Sequence, residues 1–87
     1  MTKVTTVKLL NDKDVSAVCG IVNAYPFDVD ATVGRYLLDA KSIMGLLTLG
    51  FGKDIVIFAH TEDTKAVEAL KFELAKWEPH DRVERVV

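Results

Sequence analysis

Apolar positions change their period several times along this chain, and each change marks an element. Val4 to Leu10 is rich in Val, Thr and Leu and runs into the turn-like Asn11-Asp12-Lys13-Asp14, a pattern that predicts a strand followed by a helix start. Asp14 is the expected N-cap. Val15, Val18, Cys19 and Val22 then recur at helical spacing until Tyr25-Pro26, where proline disfavours helical backbone in the residue before it. Phe27, Val29 and Ala31 alternate with Asp28 and Asp30, and a turn around Val33-Gly34 leads into Tyr36-Leu37-Leu38, which predicts a hairpin.

The second half repeats the alternation of helix and strand. A short helix is expected from Ser42 to Leu49, with Gly50 at its left-handed C-terminal position and Gly52-Lys53 in the turn beyond. Asp54 to Ala59 is almost continuously apolar, as in a strand buried on both faces or lying at the sheet centre. From Asp63 to Trp77, Ala66, Val67, Leu70, Leu74 and Trp77 form an apolar stripe, while Lys65, Glu68, Lys71, Glu73 and Lys76 lie away from it. Glu68 with Lys71 and Glu73 with Lys76 are spaced as helical ion pairs of about 0.2–0.5 kcal/mol each, so the stripe is what docks this helix. Pro79 closes it, and the polar tail His80-Asp81-Arg82-Val83-Glu84-Arg85 is expected to fray. The order β-α-β-β-α-β-α gives an α+β two-layer sandwich: one sheet with three helices on one face.

Composition narrows the class. At 87 residues the chain suits one domain, and 49% hydrophobic with 28% charged residues suits a packed globule. The 11 basic and 13 acidic residues are scattered and leave a net charge of -2, so no basic stripe for nucleic acid is formed. No apolar run approaches a bilayer span, and the start MTKVTTVKLL lacks a secretory apolar region. Cys19 is the single cysteine, which forbids an internal disulfide and suits a cytoplasmic setting; on an apolar helix face it is expected to be a small buried hydrophobe.

Apparatus for catalysis is not visible in the sequence. Gly50-Phe51-Gly52-Lys53 is too short and wrongly placed for a phosphate-binding loop. His60 and His80 lack Cys or acidic neighbours at ligand spacing, so no metal and no cofactor are expected. Candidate chemistry centres on Ser42. As an N-cap its hydroxyl is worth about 1 kcal/mol, and a phosphate on the same oxygen would add about -1.5 to -2 charges at the positive end of a helix. Ile43, Leu46 and Leu47 form one helical face and are expected in the core; Met44 points elsewhere, and Gly45 costs a helix up to about 1 kcal/mol relative to alanine, so helix stability explains neither.

The stretch Asp39-Ala40-Lys41-Ser42-Ile43-Met44-Gly45-Leu46-Leu47-Thr48-Leu49-Gly50 resembles the regulatory-serine segment of HPr, the phosphocarrier of the bacterial sugar phosphotransferase system, in which (D/N)-x-K-S-I-M-G-x-x-x-L-G recurs. The resemblance extends to chain length, element order and the last amphipathic helix. It implies an open-faced β-sandwich of four antiparallel strands with three helices on one face. It also implies regulatory phosphorylation at Ser42 and a docking surface made by Lys41, Ile43, Met44, Gly45 and Leu47.

HPr carries a second phosphate on a histidine before its first helix, in N-x-G-(L/I)-H-A-R-P. Here Asp14 occupies the histidine position, and Ser16 and Ala17 replace arginine and proline. The relay needs an imidazole nucleophile at that helix N-terminus, which this chain lacks. The resemblance therefore implies a non-catalytic regulatory HPr-like protein, similar in logic to the catabolite-repression paralogue. Its expected partners are proteins: an HPr kinase/phosphorylase, a transcriptional regulator or a metabolic enzyme. Two alternatives stay open. One is a binding or assembly module, monomeric or weakly self-associating, whose apolar surface includes Met44 and Phe51; the other is an atypical phosphocarrier.

Overall fold

The computed structural model describes residues 1–79. In chain order these form β1 (Thr2–Lys8), α1 (Asp12–Asn23), β2 (Val29–Val33), β3 (Tyr36–Asp39), α2 (Ile43–Leu49), β4 (Asp54–Ala59) and α3 (Thr64–Leu74), the last continued by a 3₁₀ turn, Ala75–Trp77. The order matches the sequence expectation. The tail from His80 to Arg85 lies outside the described residues.

The four strands form one antiparallel sheet in the order β1-β4-β2-β3. β4 is thus an inner strand. Its near-continuous apolar run reflects that place, for Ile55, Ile57 and Ala59 are buried beneath the helices, whereas Val56 and Phe58 lie half-buried on the other face. A register shift between Lys3 and Thr5 turns both Val4 and Thr5 inward, as an extra bulge residue does. The core joins Val7, Val29 and Ile57 from the sheet to Val18 and Val22 of α1, Leu46 of α2, and Leu70 and Leu74 of α3. Burying each large side chain contributes about 1.5–3 kcal/mol.

Three expectations need correction. β1 starts and ends two residues earlier than Val4 to Leu10, because the segment 9–10 leaves the sheet: Gly52 N–H donates to Leu9 O at 2.8 Å and the Leu9 side chain enters the core. α1 begins at Asp12, with Asn11 and not Asp14 as its N-cap. The last helix does not run unbroken to Trp77 but tightens after Leu74, which carries Trp77 into the core. Three of the four charges expected to pair along that helix are engaged elsewhere: Lys71 reaches Glu78 at 3.4 Å, Lys76 lies over the Trp77 ring, and Glu73 accepts from the Tyr25 hydroxyl. Glu78 also accepts from Thr5, so the segment after the helix is tied back to β1.

Candidate functional site

The approach to α2 is fixed by α1. Ala40 is buried and its N–H donates to Val29 O at 2.8 Å; the Asp39 carboxylate accepts from Lys41 N–H at 2.9 Å. Lys41 O then accepts from the Cys19 thiol at 3.2 Å and from Asn23 Nδ2 at 3.0 Å, while Lys41 Nζ donates to Tyr25 O at 2.7 Å. Lys41 is therefore an anchor. Its long side chain, expected on a docking surface, reaches back across the loop to the chain just beyond α1.

Ser42 caps α2 as expected. Its backbone is extended and its Oγ accepts from Gly45 N–H at 3.1 Å. Gly45 also acquires a structural reason, since a Cβ there would lie 3.0 Å from Asp39 O and crowd the Leu38 side chain. Glycine lets α2 sit directly on the end of β3.

The apolar residues of α2 divide differently from the expectation. Leu46 and Leu49 enter the core, but Ile43 is 47% exposed, Leu47 37% and Met44 72%, so Ile43 and Leu47 are surface residues. A seven-residue helix makes only two turns, and positions three apart exhaust the side that touches the core. The remaining apolar side chains form a patch beside Ser42, with Phe51 also exposed just beyond the helix.

Asp14, which the resemblance set at the histidine position of HPr, sits in a hydrogen-bonded cap. Asn11 Oδ1 accepts from Asp14 N–H at 2.9 Å; the Asp14 carboxylate accepts from Leu10 N–H at 2.8 Å and from the Trp77 indole N–H at 3.0 Å. The Asp14 carboxylate thus takes the amide of the residue before the cap, not that of the cap itself as a capping box would, and the indole reaches it from across the fold. Asp14 joins the first helix to the end of the last.

Cys19 is buried, and burial pushes its thiol up from the ordinary cysteine value; the hydrogen bond from Asn23 pulls the other way and the Asp39 charge adds to the rise. It behaves as a protonated donor to Lys41 O. Burial also pushes the Tyr25 hydroxyl up to about 12, helped by its hydrogen bond to Glu73 and by that carboxylate's charge. His60 Nε2 meets Asp30 Oδ2 at 2.5 Å on the uncovered side of the sheet. Sequence spacing hid this acidic neighbour, which β2–β4 pairing supplies by placing Asp30 opposite Phe58. Among the described residues no group of three His, Cys, Asp or Glu side chains is placed to hold a metal, and no helix is long and apolar enough to cross a membrane. His80 lies outside those residues.

No family model matches this sequence, and no curated protein matches it. The fold, however, is similar to the crystal structure of HPr-C-His from Thermoanaerobacter tengcongensis, with a TM-score of 0.70 over 98% of this chain and 100% of that one, at 19% sequence identity. The architecture is thus HPr-like: four antiparallel strands and three helices in the order β-α-β-β-α-β-α.

Proposed function

We propose that this chain is a non-catalytic HPr-like regulatory protein that acts by binding other cytoplasmic proteins through α2, with Ser42 as a phosphorylation switch. The observation that carries the reading is the exposed set Ile43, Met44 and Leu47 beside the Ser42 cap, on a helix whose approach is clamped to α1. Such a surface is rigid before a partner arrives, which lowers the ordering cost of binding. A phosphate on Ser42 would place charge next to apolar side chains, and partners would distinguish the two forms by electrostatics and not by refolding. Relay through Asp14 is no part of this proposal, because its carboxylate is engaged by Leu10 and Trp77 and is no imidazole.

Intact mass after incubation with an HPr kinase/phosphorylase, ATP and magnesium tests the switch. A single added phosphate that disappears in Ser42→Ala is the expected result; no addition, with the kinase active on ordinary HPr, overturns it. Incubation with enzyme I and phosphoenolpyruvate is expected to leave no acid-labile phosphate.

One observation favours a second reading, a binding module without phosphate control. Lys41 and Gly45 each have a structural task, so two of the residues around Ser42 are accounted for without any kinase. That reading shares the α2 patch and predicts partner binding unaffected by Ser42→Ala.

A further inference from the structure

A cleft separates the β2–β3 turn from the end of α2. Val33, Arg35 and Tyr36 line one side, Thr48 and Leu49 the other, with Lys53 from the following loop. None of its lining residues is acidic, although the whole chain carries a net charge of -2. Among the described residues, no hydrogen bond or ion pair engages the Arg35 guanidinium or the Lys53 ammonium, whereas Lys8 pairs with Asp54 and Lys71 with Glu78. Two cations without a partner among the described residues thus line one concavity.

The loop holding Lys53 is fixed. Gly50 and Gly52 take left-handed φ angles of 87° and 77°, and Gly52 N–H is bound to Leu9 O. Lys53 Nζ folds against Gly50, only 3.9 Å from where a Cβ would stand. There it also complements the carbonyl end of α2. Arg35 has no such reason for its place. It follows Gly34, whose φ of 55° makes the turn, and a second turn position is ordinarily taken by a small polar residue. Beside it Tyr36 is 70% exposed, although its strand neighbour Leu38 is partly packed against the core. Folding uses neither side chain.

We propose that this cleft binds a small phosphate ester with a planar body, of the nucleoside monophosphate class. Arg35 and Lys53 would share the phosphate, Arg35 as the two-pronged donor and Lys53 as the point charge. The planar body lies against the Tyr36 ring, beside the half-buried Val33. The site is separate from Ser42 and does not depend on the switch proposed above.

The test is a ¹H–¹⁵N titration of the whole chain with adenosine monophosphate at millimolar concentrations, with adenosine and inorganic phosphate as parallel arms. Shifts confined to residues 33–36 and 48–53, strong with the nucleotide, weaker with phosphate, weakest with adenosine, and reduced by salt, are expected. Arg35→Gln and Lys53→Gln should each weaken binding about tenfold, as loss of one charged hydrogen bond does. Tyr36→Leu should make the nucleotide bind no better than phosphate. All three positions are exposed, so the variants keep a native spectrum. No shifts at this cleft, shifts that survive the double charge variant, or phosphate binding as tightly as the nucleotide in the unmodified chain would overturn the proposal.

Discussion

The N-termini of α1 and α2 are built on the same cap and put to different uses. In each, a polar side chain at the cap accepts the amide three residues on: Asn11 from Asp14 and Ser42 from Gly45. Around α1 the cap is tied across the fold, because the Asp14 carboxylate accepts from Leu10 N–H and from the Trp77 indole, while Asn11 itself stays exposed. Around α2 the cap is a half-buried Ser42 with the exposed Ile43 and Met44 beside it. The first terminus has become part of what holds the fold together, and the second carries apolar surface that the fold does not use. That contrast is why the proposed function is placed at Ser42 and not at Asp14.

The comparison breaks most visibly at Trp77. Trp77→Ala removes a buried ring and the indole donor together and should cost about 3–5 kcal/mol in urea unfolding; a loss under about 1 kcal/mol would mean that the α1 terminus is not held by the far end of the chain. Asp14→Ala should cost about 1–2 kcal/mol, since two N–H groups lose their acceptor. Ser42→Ala should cost about 1 kcal/mol, and Ser42→Asp should restore most of it because aspartate caps equally well. A smaller loss at Asp14 than at Ser42 would erase the distinction between a terminus tied across the fold and one that is not.

Two smaller effects sharpen it. Tyr25 ties the end of α1 to α3 through Glu73, and its hydroxyl is pushed up to about 12. The unfolded chain ionises near the ordinary tyrosine value of about 10, so between these values it releases its proton first. The stability contributed by Tyr25 is therefore complete below the lower value and is lost as pH rises through the upper one. Tyr25→Phe should flatten that alkaline limb, which unfolding midpoints at stepped pH would record. Met44→Ser should change stability by less than about 0.5 kcal/mol while abolishing binding to any partner that docks on α2, as co-sedimentation or calorimetry would show.

Local signals in the sequence carried most of the architecture. The apolar run of β4 set its ends correctly because Gly52-Lys53 and the polar residues from His60 bound it, and Ser42 and Gly50 marked α2 through cap chemistry confined to neighbouring residues. Asn11-Asp12-Lys13-Asp14 was harder to read, since it contains several good cap residues and only backbone direction decides among them. The exposure of Ile43 and Leu47 was hidden because helical spacing shows which residues share a side, not which side meets the sheet. Asp14 with Trp77 and His60 with Asp30 were illegible for a simpler reason: each pair is joined by the fold across 63 and 30 positions of sequence.

The most direct measurement is a pair of spectra of one labelled sample, before and after phosphorylation by an HPr kinase/phosphorylase, following the Met44 methyl, the Gly45 amide and the Trp77 indole. The account predicts that the Met44 and Gly45 signals move and that the Trp77 signal stays, because the change is confined to the α2 terminus. A chain that accepts no phosphate on Ser42, or one whose Trp77 indole shifts along with Gly45, would contradict it.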